Sequence, residues 1–403
     1  MRKIPYGKQT ITDEDIQAVV EVLKSDWLTQ GPTVQAFEEA FADYIGVRYA
    51  VAVSNGTAAL HLSMLALDLK PGQKVITTPI TFAASANCVE YAGGEVVFAD
   101  IDPETLVLDV EAVRAVLESH PKGQFAGIIP VDFAGYPVDM EAFRKLADEY
   151  GLWLVEDACH APGGWFEDSA GKKQFCGNGA YADLAVFSFH PVKHIACGEG
   201  GMITTNNPEL YEKLLMLRTH GITKDPEKLH TWHGGWYYEM QTLGYNYRLS
   251  DLNCALGLSQ LKRADLGLSR RHSIAKTYDA AFADLDFKLT RRDENTGHAW
   301  HLYVIQTDYR PELYCYLHSN GVLAQVHYVP VHLMPWYQRK GWRKGMFPHA
   351  EAYYERGLSL PMYPGLSSAE QLKVIEHINS FHYATLSDHS RLRRKAGKLF
   401  TPL

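Results

Sequence analysis

Short apolar strands alternate with helical stripes through the first two-thirds of this chain, and that alternation limits the fold more than any other feature. Strands read at Tyr49–Val53, Val75–Thr78, Glu95–Phe98, Gly127–Val131 and Leu152–Val155. Between and before them lie helical segments. Asp13 to Lys24 carries apolar residues at 16, 19, 20 and 23, and Ala58 to Leu67 is apolar on nearly every side. Val110–Leu117 and Met140–Tyr150 complete the set. Alternation of this kind predicts an α/β domain with a mostly parallel sheet covered on both faces. After about residue 250 the strand signals thin out. Leu252 to Tyr278 reads as one long helix, with Gly257 and Gly267 as points of weakness, and a last helix lies near Ser368–Phe381. The expected division is a large domain over 1–255, a smaller α+β domain over 256–385 and a basic, solvated tail over 386–403.

The chain of 403 residues is long enough for a large core, and 46% hydrophobic with 21% charged residues is an ordinary globular balance. A net charge of −8 disfavours nucleic acid as the main partner. The six cysteines include no C-x-x-C pair, so free thiols in a reducing compartment are expected rather than a zinc site or disulfides. The histidines, His190 and His332 among them, match no compact metal site, so no metal is expected. The N-terminus turns polar at once, and no apolar run reaches the roughly 18 residues of a membrane helix. The expectation is a soluble, cytoplasmic protein with no membrane partner.

Three stretches carry chemistry. In Val51–Leu60 a strand runs through Ser54-Asn55-Gly56-Thr57 into the buried helix. Free N–H groups and the helix dipole there favour an anion, although plain N-capping is the commoner use of such a turn. In Leu152–His160, Glu156 and Asp157 follow an apolar strand, at the end where α/β sheets bind ligands. The third, SFHPVKHIACGEGG over 188–201, sets Lys193 in a short connection between two apolar strands, where a lysine without a partner is unusual. GEGG is not a dinucleotide turn, so a nicotinamide-dependent reductase is disfavoured. A phosphate cup, an acid for a pyridinium nitrogen and a partly buried lysine are together what pyridoxal 5'-phosphate requires.

With SDWLTQGP, SNGTAALH, TPITFAASAN, EDACHA, SFHPVKHIACGEGG, GYNYRLSDLNCALGLSQLKR and LAQVHYVPVH in place, the chain resembles the DegT/DnrJ/EryC1/StrS sugar aminotransferases. The resemblance runs from Tyr6 to about residue 380 and implies the aspartate-aminotransferase-like fold, type I of the PLP-dependent transferases. It implies that Lys193 is the Schiff-base lysine and proton shuttle. Asp157 would pair with the pyridine nitrogen, His160 would lie near the ring oxygen and Phe82 against the ring face. Gly56, Thr57 and Ser188 would hold the phosphate. Asn246 would reach the phosphate of a neighbouring subunit's cofactor, which makes a homodimer with shared sites necessary. Tyr6, Asp26, Trp27, Leu28, Thr29, Gln325, Val326, His327 and Tyr328 would line the nucleotide-sugar site. SFHPVK with GEGG, and LAQVHYVPVH, are most similar to the branch that uses L-glutamate and a UDP-linked 4-keto-6-deoxy-N-acetylhexosamine. That branch makes UDP-4-amino-4,6-dideoxy-N-acetyl-β-L-altrosamine for pseudaminic acid. Relatives acting on dTDP- or GDP-linked sugars, and non-catalytic sugar-binding relatives, are the alternatives. Retention of Lys193 argues against the last. The aromatic segment 223–242 receives no role from the resemblance.

Overall fold

A computed structural model describes residues 3–387; the expected tail lies, beyond Ser387, outside the described residues. Seven strands make the central sheet: β1 (Tyr49–Val53), β2 (Lys74–Thr77), β3 (Glu95–Phe98), β4 (Phe125–Ile129), β5 (Trp153–Asp157), β6 (Leu184–Ser188) and β7 (Gly201–Thr205). Their order across the sheet is β1-β7-β6-β5-β4-β2-β3. β7 runs antiparallel to both β1 and β6, and every other neighbouring pair is parallel. β7 breaks the parallel pattern because a loop, 189–200, joins it to β6 instead of a crossover helix. β4 begins and ends earlier than the sequence suggests, since Pro130 has no N–H for the ladder. Gly127 within it lets Trp153 of the neighbouring strand cross, because a Cβ there would lie 2.0 Å from the indole.

Helices α1 (Asp13–Leu23), α2 (Pro32–Ile45), α3 (Gly56–Ala66), α4 (Ala84–Tyr91), α5 (Val110–Glu118), α6 (Met140–Tyr150) and α7 (Pro208–Leu217) belong to this larger unit. α3 buries every residue except Thr57 and Leu65, as its all-round apolarity requires. α1 departs from expectation. Its buried residues are Asp15 and Val22, while Ile16 (54% exposed) and Leu23 (56%) face outward. The physical reason is Asp15. Its carboxylate receives the Thr12 amide at 2.9 Å and the Gln260 side-chain amide at 2.8 Å, and it pairs with Arg263. Those bonds, not the apolar stripe, decide which face turns inward.

The expected single helix over 252–278 is two. α8 (Asp251–Leu261) and α9 (Ala264–Phe282) meet at Lys262–Arg263, and both glycines that looked like breaks lie inside helices. An expected domain border at 255/256 therefore falls inside α8, which packs on α1 and α2. α9 belongs instead to a second core with Tyr303, Leu313, Leu317, Leu358, Val374 and Ile378. That core sits between β8 (Tyr303–Gln306), flanked antiparallel by β9 (Gly357–Leu360), and the helices α10 (Arg310–Ser319) and α11 (Ser368–Ser387). The N-terminal Ile4–Pro5 pairs in parallel with Val322–Leu323, which ties the start of the chain to this second unit.

Candidate active site

The carboxyl ends of β5 and β6 and the start of α3 converge. Asn55 caps α3 by accepting the Ala58 amide at 2.8 Å, and its carbonyl takes the Ala59 amide at 3.1 Å. The Gly56 and Thr57 N–H groups are the first-turn donors left for an outside acceptor. Ser188 closes the cup. A Cβ built at Gly56 would stand 3.0 Å from Ser188 Cβ and 3.4 Å from its hydroxyl, so any side chain at 56 would fill the cradle. Two backbone donors, a hydroxyl and a helix N-terminus in one cradle fit a phosphate.

Asp157 ends β5 as a buried carboxylate. Its Oδ2 accepts the Ser85 hydroxyl at 2.7 Å and its Oδ1 accepts the Cys159 amide at 3.2 Å. Because the Ser85 proton is spent on Asp157, the Thr81 hydroxyl donates to Ser85 across 2.7 Å. Sequence reasoning missed Ser85. Its signal was the i, i+4 spacing of Thr81 and Ser85 at the start of α4, which gains meaning only once Asp157 is known to face it.

Lys193 sits in the 189–200 loop, partly buried. Phe189 braces that loop by donating to Gly200 O at 2.8 Å and accepting from Cys197 N at 2.9 Å. Asn253 of α8 reaches in to hold Cys197 O at 2.6 Å. Burial lowers the Lys193 pKa below the usual lysine value, against the pull of Cys159 and Asp157, and buried Arg271 adds to the lowering. Among the described residues its amine makes no hydrogen bond or ion pair. A depressed, unpartnered amine beside a carboxylate fits attachment to an aldehyde and proton transfer.

His160 forms one wall, its ring 4.2 Å from that of His301. Burial holds its pKa well below the usual histidine value, followed in effect by the Lys193 charge, so the ring is neutral. Nδ1 accepts the Ala134 amide at 3.3 Å, which leaves the single ring proton on Nε2. Nε2 then donates to the Tyr328 hydroxyl at 3.3 Å, and the phenolic proton remains free to point into the site. Tyr328 belongs to the 325–328 turn, where the His327–Tyr328 peptide is cis and Gln325 bridges to Ser359 of β9. His327 bonds Ser359 Oγ at 2.9 Å, and its ring lies 4.8 Å from that of Tyr6. Tyr6 is near the lysine loop too, since a Cβ at Gly7 would lie 3.4 Å from Val192. The exposed Phe82 ring lies 6.2 Å from Tyr328.

The structure thus brings together Gly56, Thr57, Ser188, Asp157, Lys193, His160, Phe82, Tyr328, His327 and Tyr6, with Gln325 and Val326 on the same turn. Asp26, Trp27, Leu28 and Thr29 lie elsewhere, in an exposed loop. Trp27 lines an 860 Å³ cavity between α1 and α8 whose walls contain none of the other predicted residues. Asn246 is also exposed and bridged to Thr219, and its neighbour Tyr247 accepts the Ser54 amide at 2.8 Å, so it flanks the end of β1 that leads into the cup. No helix among the described residues is long and apolar enough to cross a membrane.

The model of the DegT/DnrJ/EryC1/StrS aminotransferase family matches residues 9–379. The spore coat polysaccharide biosynthesis protein SpsC of Bacillus subtilis is 40% identical over 384 residues, covering 93% of this chain and 96% of SpsC. Among solved structures, Helicobacter pylori PseC, an aminotransferase involved in the biosynthesis of pseudoaminic acid, superposes with a TM-score of 0.85 at 31% identity. The match covers 95% of this chain and 100% of PseC. Spr1654 of Streptococcus pneumoniae in its PLP form gives a TM-score of 0.84 at 28% identity over 99% and 100% of the two chains.

Proposed function

The chain belongs to the DegT/DnrJ/EryC1/StrS aminotransferase family, and from that premise we propose that it moves the amino group of L-glutamate to C4 of a UDP-linked 4-keto-6-deoxy-N-acetylhexosamine. The product would be UDP-4-amino-4,6-dideoxy-N-acetyl-β-L-altrosamine, for pseudaminic acid. Members of the family are PLP-dependent sugar aminotransferases. The observation that carries the reading is the meeting of an unpartnered Lys193 amine, the Asp157 carboxylate and the Gly56–Ser188 cradle at one end of the sheet.

In this reading Gly56, Thr57 and Ser188 hold the phosphate of pyridoxal 5'-phosphate, and Asp157 keeps its ring nitrogen protonated. Bound in this way, the cofactor supplies an electron sink for the pair released at the donor's α-carbon. Lys193 Nζ, its charge disfavoured by burial, would accept the α-proton of glutamate and later protonate C4 of the sugar. Ser85 Oγ and the Cys159 amide keep Asp157 aimed. His160 presents the Tyr328 hydroxyl as a donor toward the substrate side.

The Tyr6, Gln325, Val326, His327 and Tyr328 wall supplies ring faces and polar contacts of the kind nucleotide-sugar pockets use. The likeness to PseC supports the pseudaminic branch. Asp26–Thr29 and Asn246 act in this proposal across a homodimer interface. The acceptor is tested with a panel of nucleotide 4-keto sugars and glutamate, following 2-oxoglutarate release. The UDP-linked N-acetyl sugar should give the highest kcat/KM. A dTDP- or GDP-linked ketosugar at least tenfold better, a difference of about 1.4 kcal/mol, would overturn the acceptor assignment and leave aminotransfer standing.

A further inference from the structure

Behind Asp157 lies a second group of acids that the reaction does not use. Glu156 precedes Asp157 on β5, so strand pleating turns its side chain to the opposite face. Its Oε2 accepts the Gly177 amide at 3.0 Å. Asp132, in the turn after β4, donates its amide to Asp157 O at 3.1 Å and accepts the Val138 amide on Oδ1 at 2.8 Å. A carboxylate oxygen of each acid and Cys176 Sγ lie within 4.8 Å of one another, and all three residues are buried. Asp132 Oδ2 has no donor from any amide or hydroxyl. The titratable groups facing the pair are Asp157 on β5, Cys159 beyond its end and Cys176 on the far loop. None of them is a cation.

Two ionised carboxylates buried within 4.8 Å of each other, with no cationic side chain facing them among the described residues, repel each other and the Asp157 charge beside them. One proton removes the conflict. We propose that Asp132 and Glu156 hold a single proton between them, given by the Glu156 carboxyl to Asp132 Oδ2, and that the pair is a positioning device for Asp157. The bond joins the turn after β4, which carries Ala134 to His160, to the strand that carries Asp157. It also keeps the charge behind Asp157 from doubling. Burial is the first cause that raises the pKa of both acids, and the neighbouring carboxylates add to it for Glu156. A group whose pKa is raised on folding contributes stability that is full below its unfolded pKa of about 4. That stability is lost as pH rises through the folded pKa.

The consequence for Asp157 rests on its role at the ring nitrogen, but the proton itself can be tested separately. Infrared spectroscopy of the holoenzyme should show one protonated-carboxyl band that persists above the ordinary carboxylate range. Glu156→Gln should remove the band, and Asp132→Asn, which leaves Glu156 as sole carrier, should shift it. In urea unfolding of the full chain, the wild-type folding constant should fall up to tenfold per pH unit above about pH 4 relative to Glu156→Gln, the signature of one proton kept by the folded state. Absence of the band, or equal pH slopes in the two proteins, overturns the proposal. So does a stoichiometric divalent metal in the purified protein whose chelation makes the band appear, because the triad would then hold a cation. Full activity in Asp157→Asn with the band unchanged would instead count against the aminotransferase reading alone.

Discussion

The loop that carries Lys193 and the segment from Ile11 to Thr29 treat their apolar residues in opposite ways. In the first, Phe189, Ile195, Ala196 and Cys197 are buried, and the lysine stands on a platform that its own chain completes. In the second, Ile11, Ile16, Leu23, Trp27 and Leu28 face outward, and the buried residues are Val22 and an acid, Asp15. A single chain builds fully what its own core supports. Contiguous exposed apolar residues mark a surface that something else completes. In the proposed reading, the difference separates the site residues that one chain gathers from those, Asp26–Thr29 and Asn246, that would act across a homodimer interface.

The largest expected effect lies in the self-contained half. Lys193→Ala should fold and lose multiple turnover, because alanine supplies neither an amine to attach nor a base for the α-proton. Sustained turnover by the purified variant would break the assignment. Asp157→Asn comes next. Removing one partner of a buried ion pair costs about 3–5 kcal/mol, so the rate should fall on the order of a hundredfold or more. Ser85→Ala, which removes one hydrogen bond to a charged group, should cost about 1.5–3 kcal/mol, roughly ten- to a hundredfold or so. Steady-state kinetics of the two variants side by side check the order. Equal effects would mean that Ser85 does more than aim Asp157.

The rim is probed by mixing chains. If Asn246 acts across a homodimer, Lys193→Ala and Asn246→Ala subunits should complement each other. Roughly a quarter of wild-type activity should return, from one intact site in the half of the dimers that are hybrids. No recovery, with subunit exchange demonstrated by mass spectrometry, would place the whole site in one chain and erase the contrast between the two regions.

Legibility in the sequence follows the same division. The strand-to-helix turn at Asn55–Thr57, the acid at the end of β5 and the lysine between two apolar strands were all readable, because each lies in a short local segment whose periodicity sets its geometry. The antiparallel β7 was not, since a loop and a crossover can follow equally apolar strands. Nor was the inward face of α1, decided by Asp15 pairing with Arg263 from a distant part of the chain. The α8–α9 joint was hidden because packing overrode the helix-weakening glycines at 257 and 267. Ser85 and the Asp132–Glu156 pair escaped for one reason: their partners are brought to them only by the sheet order.

The central claim is that the amine of Lys193, and no other, carries the cofactor. Borohydride reduction of the holoenzyme followed by peptide mass mapping tests it most directly. The account predicts a phosphopyridoxyl group on Lys193 within the SFHPVK peptide, at one per chain, and the loss of this adduct when excess glutamate is added before reduction. A stable adduct on a different lysine, or an unmodified Lys193 in protein that shows full activity, would contradict it.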